Sequence, residues 1–446
     1  MLPLCIGILG YGEVGSSLAR YLLHNKAVLA ERTNCIIDIK KIYSRTTKKI
    51  IDSGVPASLI ADSWQAVVND SSISCIVELM GGTDTALECI STSLRLGKNV
   101  VTANKAVLAE HGASIWNIAR KHSACIGFEA SCGGGVPIIR AITDGLIANK
   151  ITSIIAVLNG SCNFILSEMD QKNIPFDTAL DTATQLGMVE ADPALDIEGK
   201  DAAHKIAIMC SLAYNSRIDF STLQQKGISE VENIDMQLGK KLGYRIKLIA
   251  AGIDLGNELC IWVHPAFLPH THPLASIDGP YNAISVHGSM VGNTLYSGRG
   301  AGGRATASAI VADLISIANG STKQNFNSTV QWADLNTYSR QGDMKQFTCA
   351  VYLRLFVEDE LGVLAKIAAI LADNNISIAR VLQEDSPHSS STDGNAHYGN
   401  SGYATLIVIT HLTQWGNIER SKQGIEALTQ VQSPIAMYPI IEQIQD

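Results

Sequence analysis

The 446-residue chain has no run of about 18 uninterrupted apolar residues, the length a helix needs to cross a bilayer, so a membrane span is not expected. Its ten cysteines include no CxxC pair and no Cys–His spacing of the zinc-binding kind. Set in core-like surroundings such as "SCIVEL" and "AIMCSLA", they read as reduced thiols, which points to a cytoplasmic protein. Basic stretches interleaved with aromatics are also missing. With a net charge of −8, neither nucleic acid nor a membrane surface is an expected partner. The start "MLPLCIGILG" lacks a basic leader and runs into glycines, as a first strand does and a signal peptide does not. His270 and His272 in "PHTHP" stand between two prolines and read as a loop rather than a metal site. What is abundant is apolar: 46% of residues are hydrophobic and only 17% charged, enough for large cores. The length allows about three domains.

Over residues 1–135, short apolar runs alternate with helical periodicity. "CIGIL", "CIIDIKKIY", "CIVELM" and "NVVTA" are strand candidates, and "EVGSSLARYLLH" is a helix with Val14, Leu18, Tyr21 and Leu22 on one face. This βαβα order implies an α/β domain with a parallel, doubly wound sheet. Residues 136–304 mix helices with antiparallel strands such as "SIIAVLNG" and "ELCIWVHPAFL", an α+β pattern. The helical stretch "ATASAIVADLISIAN" follows a glycine-rich turn, and the polar residues 326–346 form a connector. From residue 347 to 446 the pattern changes. Phe347, Cys349, Val351, Leu353 and Leu355 alternate as a half-buried strand requires, and Leu361, Leu364, Ile367, Ala368 and Leu371 mark a helix. "ISIARVL", "YATLIVITHL", a helix near 418–430 and "AMYPIIE" complete a ferredoxin-like βαββαβ unit, with "SPHSSSTDGNAHYGNSG" as a flexible hairpin loop.

"GILGYGEVG" places Gly10, Gly12 and Gly15 as G-x-G-x-x-G between the first strand and first helix. The glycines permit a tight turn, close approach to a pyrophosphate and helix–strand packing, the signature of a Rossmann-type dinucleotide site. Asp38 lies near the spacing of a ribose-binding acid, but inside a strand. The strand end "YSRTTKK" carries Arg45, Lys48 and Lys49, suited to a 2′-phosphate. NADP is the expected cofactor, with NAD as the alternative.

"ADPALDIEGKDAAHK", residues 191–205, gathers four acids, two lysines and a histidine in a chain poor in charge. "DAAHKIAIMCSLA" reads as a helix with Ile206, Met209, Cys210 and Ala213 on its buried stripe. Asp201 and Lys205, four apart, share a face. Alone, they are equally a solvated ion pair worth a few tenths of a kcal/mol. Lys105 in "VVTANKAVLAEHG" stands just past a parallel strand's C-terminal end, where ligands of such sheets bind. "FEASCGGGVPII" sets Glu129 ahead of three glycines with exposed backbone, and "VLNGSCNFIL" is a tight polar turn in apolar surroundings.

These motifs, with "VELMGG", "LGMVEADPALDIEGKDAAHK" and "GRGAGGRATASAIVADL", resemble the homoserine dehydrogenase family over residues 4–325. The C-terminal unit resembles an ACT domain, an amino-acid-sensing module. The resemblance implies NAD(P)-dependent interconversion of L-homoserine and L-aspartate 4-semialdehyde, in threonine, methionine and isoleucine biosynthesis. It implies that 136–304 is a substrate and dimerisation domain, that about 305–325 completes the first domain, and that the chain forms a homodimer or homotetramer. Lys205 matches the acid/base and Lys105 the lysine beside nicotinamide and substrate. Gly187, Glu190, Asp196 and Asp201 match the substrate pocket. Gly10, Gly12, Glu13, Val14, Gly15, Arg45, Gly81, Lys105 and Gly300 match the cofactor site. Glu129 and the backbone of Cys132, Gly134 and Val136 match a structural Na+ site. L-threonine is the first effector to expect, at the turn of Asn374 and Asn375 before "ISIARVL".

A free lysine titrates near 10.4, too high for a neutral-pH base; a neighbouring lysine and burial are expected to lower it. Met188, Val189, Cys162, Arg299 and Ala305 depart from the family pattern, as does "DELGVL" from the usual ACT turn. Two rivals remain: a non-catalytic amino-acid sensor, and another NADP-dependent semialdehyde oxidoreductase, which would need Cys132 or Cys162 as a nucleophile.

Overall fold

The N-terminal apolar runs become a parallel sheet in a computed structural model, which describes residues 2–189, 193–328, 341–385 and 402–442. Strands β1 (Leu2–Leu9), β2 (Cys35–Tyr43), β3 (Cys75–Glu78), β4 (Asn99–Thr102) and β5 (Ile126–Gly127) lie in the order β2-β1-β3-β4-β5. Their parallel pairing requires crossovers, among them helices α1 (Glu13–Thr33), α2 (Asp84–Arg95) and α3 (Lys105–Lys121). The chain leaves β1 to opposite sides through β2 and β3, which opens a crevice at their C-terminal ends. Gly10, Gly81 and Lys105 follow β1, β3 and β4 into that crevice.

The buried face of α1 keeps Leu18 and Leu22 of the expected stripe, with Val14 packed at its edge, but is turned from Tyr21. It centres on Gly15, Leu18, Ala19 and Leu22, where small residues allow close packing, and Tyr21 falls beyond its edge, 44% exposed.

The second region contributes β6 (Ile151–Val157), α4 (Gly160–Lys172), α5 (Lys200–Ala213), α6 (Asn233–Lys241), β7 (Tyr244–Asp254), β8 (Leu259–Pro269), β9 (Tyr281–Gly288) and β10 (Gly292–Arg299). Helix α7 (Gly303–Ala318) then returns to pack on α1. The C-terminal unit has the expected βαββαβ order: β11 (Thr348–Glu358), α8 (Val363–Asp373), β12 (Ile378–Asp385), β13 (Tyr403–Thr410), α9 (Trp415–Glu426) and β14 (Val431–Ile440). Both regions share one sheet, ordered β10-β9-β6-β7-β8-β14-β11-β13-β12. The seam is the parallel contact of Ile440 with Phe267, extended by Ile441 N–H donating to Phe267 O at 2.9 Å.

Strand β11 was expected to be half-buried, but both its faces are covered. Cys349, Val351, Leu353 and Leu355 join a core with Trp262, while Ala350 and Tyr352 join the main core on the other side. The second cover is α6: Asp235 accepts from Tyr352 Oη at 3.0 Å and from Arg354 Nε at 2.7 Å. In α8 the buried face is Val363, Ile367 and Leu371; Leu361 precedes the helix and is fully exposed, and Leu364 is 43% exposed. Helix α5 buries not a stripe but every residue from Asp201 to Ser211. The hairpin loop after β12 and residues 329–340 of the connector lie outside the described residues. Among the described residues no helix is long and apolar enough to cross a membrane.

Candidate active site

The glycine turn is built by close approach. At Gly10 (φ +108°) a Cβ would stand 2.3 Å from the Leu79 carbonyl oxygen, and at Gly15 it would stand 2.1 Å from that of Gly10. Gly12 has open space where its side chain would be and caps α1 without a side-chain bond, so first-turn amides face outward. Glu13, whose charge would repel a phosphate there, instead accepts from Gly303 N–H at 2.7 Å.

Two clefts continue from this turn. One, of 440 Å³, is lined by Gly10, Gly12, Arg45, Lys49, Trp64 and Gly81. The other, of 510 Å³, is lined by Val14, Gly81, Lys105, Asp196, Asp201 and His204. Gly81 borders both, so an extended ligand laid over the turn reaches from Arg45 to Lys105. The basic pair at the outer end is Arg45 and Lys49; Lys48 lines neither cleft. Asp38 is held by Lys26 at 2.8 Å and Lys40 at 2.6 Å and also stays outside. Gly300 is buried against Asn282 and Gly134 rather than in either cleft.

The cleft wall is braced from beneath. Buried Glu78 accepts from Thr102 Oγ1 and from Met80 N–H, both at 2.7 Å. Asn104 donates its amide to Gly82 O at 2.7 Å and caps α3 by accepting from Val107 N–H at 3.2 Å. Lys105, the first residue of α3, is thereby held at the cleft.

Lys105 meets Lys205 through one carboxylate. Asp201 Oδ1 lies 2.8 Å from Lys105 Nζ, and Oδ2 lies 2.7 Å from Lys205 Nζ. Lys205 donates also to Leu158 O at 2.8 Å. The Asp201–Lys205 pair is therefore the expected i,i+4 pair, but buried, with side chains 8% and 10% exposed. Burial alone would push Asp201 upward; the Lys205 and Lys105 ammonium groups hold its carboxyl well below the usual range. The expected lowering of lysine titration does not occur at Lys105, because the Asp201 charge outweighs burial and raises it.

The parts of Asn159 and His204 at this site were not foreseen. Asn159 donates to Asp196 Oδ1 at 2.7 Å and to Asp201 Oδ2 at 2.9 Å. His204 stacks on Phe220 with centroids 4.3 Å apart; burial, then the Lys105 charge, pulls its titration down to about 4, so the ring is neutral at pH 7. Gly187 (φ +67°) precedes Met188, whose carbonyl accepts from Ser161 Oγ at 2.8 Å. Glu190 lies outside the described residues.

The cysteines settle one rival. Burial pushes the Cys132 thiol up to about 12 and Cys162 well above its ordinary value, so neither supplies a thiolate. Cys162 instead donates to the Asp196 carbonyl at 3.2 Å, the work a hydroxyl would do there.

At the sodium motif the Glu129 carboxylate is already engaged. It accepts from Ile139 N–H at 2.8 Å and Arg140 N–H at 3.0 Å, with Arg140 Nε 3.5 Å away. Burial, then Asp313, pushes its titration up to about 7. A cation at this loop would have carbonyl oxygens to bind, and Val136 O already accepts from Ile138 N–H at 2.8 Å.

Residues 10–129 match the family model for the homoserine dehydrogenase NAD binding domain, 137–315 that for homoserine dehydrogenase, and 351–398 that for the ACT domain. The homoserine dehydrogenase of Neisseria gonorrhoeae is 38% identical over 441 residues, 98% of either chain. This chain belongs to the homoserine dehydrogenase family. The Helicobacter pylori homoserine dehydrogenase is 39% identical over 429 residues, 96% of either chain. Among solved structures, a homoserine dehydrogenase from Thiobacillus denitrificans has a TM-score of 0.91 at 34% identity, covering 99% of this chain and 98% of its own. A hyperthermophilic archaeal homoserine dehydrogenase in complex with NADPH has a TM-score of 0.60 at 28% identity, covering 71% of this chain and 97% of its own. As a homoserine dehydrogenase the chain is an oxidoreductase that uses a nicotinamide cofactor, and its C-terminal unit is an ACT domain.

Proposed function

We propose that in the interconversion of L-homoserine and L-aspartate 4-semialdehyde Lys205 is the acid/base, while Lys105 supplies a fixed positive charge. The observation that carries this reading is the shared Asp201 carboxylate, which lines the cleft leading from the glycine turn together with Lys105 and holds the buried Lys205 amine at 2.7 Å. When bound, the nicotinamide supplies the hydride acceptor or donor. A neutral Lys205 has its N–H groups directed at Leu158 O and Asp201, so its lone pair is left for the substrate hydroxyl. Protonated, it returns that proton to the alkoxide when the aldehyde is reduced. Lys105, kept cationic by Asp201, stabilises negative charge developing on the same oxygen. Asp201 then acts through the lysines, and the substrate's α-ammonium falls to Asp196 and Glu190, with Gly187 shaping the pocket.

Arg45 and Lys49 favour NADP, since a 2′-phosphate needs cations where NAD needs an acid, and Asp38 is engaged elsewhere. We assign Gly10, Gly12, Gly15, Val14 and Gly81 to cofactor contacts and Glu13 to the support of the turn. A structural Na+ would be held by the carbonyl oxygens of Glu129, Cys132, Gly134 and Val136. L-threonine is the effector we expect at Asn374 and Asn375, the latter at φ +60°. A homodimer or homotetramer in the cytoplasm completes the reading.

Initial rates with L-homoserine and each cofactor, with and without L-threonine, test it. NADP should exceed NAD roughly tenfold in kcat/KM, the discrimination of about one charged contact, and millimolar threonine should slow the reaction. No turnover with either cofactor would defeat the catalytic reading.

A further inference from the structure

Leu158 and Asn159 form the turn between β6 and α4, Leu158 meeting the Lys205 amine and Asn159 the acids beside it. Leu158 O accepts from Lys205 Nζ and from Asn282 Nδ2, each at 2.8 Å. Asn159 is buried, and its Oδ1 accepts from Cys162 N–H at 2.7 Å, which caps α4. That bond fixes the amide's orientation, so the NH2 group faces the two acids, Asp196 at 2.7 Å and Asp201 at 2.9 Å.

We propose that Asn159 is a positioning residue for the proton-transfer lysine, acting through Asp201; the inference rests on the acid/base reading of Lys205 given above. Asp196 and Asp201 come from separate elements, the short helix Ala194–Ile197 and α5. Two carboxylates facing one point repel each other. An amide joins them with two donors and no added charge, where a lysine would add a competing cation and a serine has a single hydrogen. With Asp201 Oδ2 fixed from the Asn159 side, Lys205 Nζ has two set directions, toward that oxygen and toward Leu158 O. Its remaining position is the one that the acid/base reading leaves for the substrate hydroxyl. A second tether comes from the same turn of α4, the Cys162 thiol on the Asp196 carbonyl.

The cap and the bridge can be separated by substitution. Serine and aspartate both cap helices well, so Asn159→Ser and Asn159→Asp keep the bond to Cys162 while losing the amide donors. Asn159→Ser should lower kcat for homoserine oxidation by roughly tenfold or more, the scale of a displaced catalytic group, with the KM for NADP and the melting temperature near those of the wild type. In Asn159→Asp a third carboxyl joins two others and ionises only at raised pH. Its kcat should fall as pH rises through that ionisation, a limb the wild type lacks. If both variants keep wild-type kcat and pH profile while Asn159→Ala loses only melting temperature, Asn159 is a cap and the inference is overturned. Should the wild type itself fail to oxidise homoserine, the reading of the reaction falls first. The crystal structure of Asn159→Ser then judges the positioning separately: separated Asp196 and Asp201 carboxylates support it, and unmoved ones overturn it.

Discussion

One carboxylate serving two ammonium groups divides the labour between amines of the same chemical type. Lys105 is held cationic by Asp201, whereas Lys205 has a carbonyl on its other side to direct it. Lys205→Ala should therefore cut kcat by roughly 10²–10⁴, the range for losing a general acid or base, and leave NADP binding measured by fluorescence titration nearly unchanged. Near-normal turnover would refute the role. The lysines and Asp201 were legible from spacing and motif, because the i,i+4 offset puts two of them on one helix face. The turn holding Asn159 was legible as polar, but the residue's role was not: its partners lie 37 and 42 positions further on. The rise at Lys105 was also hidden, since the sequence shows two lysines and not that an acid stands between them.

At the scale of the element, the strands of the first sheet were readable because each is a short apolar run with turn residues at its end. Faces were harder to read. Tyr21 and Leu364 belong to apolar stripes by spacing, yet the packed faces of α1 and α8 lie to one side of them. The alternation of β11 was real, but its polar-looking face meets Asp235 of α6, more than a hundred residues earlier in the chain. The glycine turn offers a clean contrast. Gly15→Ala puts a methyl 2.1 Å from a carbonyl oxygen and should cost about 1–3 kcal/mol, read by denaturation. Gly12→Ala meets nothing of the protein, so it should keep its melting temperature while NADP binding weakens. Equal melting losses in the two variants would contradict this division.

Across the whole molecule the two regions meet over His264, whose ring lies 5.5 Å from that of Trp415 and 6.4 Å from that of Tyr438. Burial pulls its titration down to about 4, from an ordinary 6.5. Between those values the unfolded chain carries the proton and the folded chain does not, so stability falls as pH drops through that window. The loss is at most about 3 kcal/mol. Urea denaturation at pH 7 and pH 4.5 should show it for the wild type and show less of it for His264→Gln; equal pH dependence in both would remove the assignment.

The unbroken sheet has a practical corollary for anyone testing the proposed regulation by altering the C-terminal unit. Strand β8 rests against β14, and Trp262 packs in one core with Val351 and Leu353. Trimming the C-terminal unit would lay bare a long apolar edge, the kind of surface on which neighbouring chains add strands and precipitate. Single replacements at the Asn374–Asn375 turn leave that edge sheathed, so they test the proposed threonine site without exposing it.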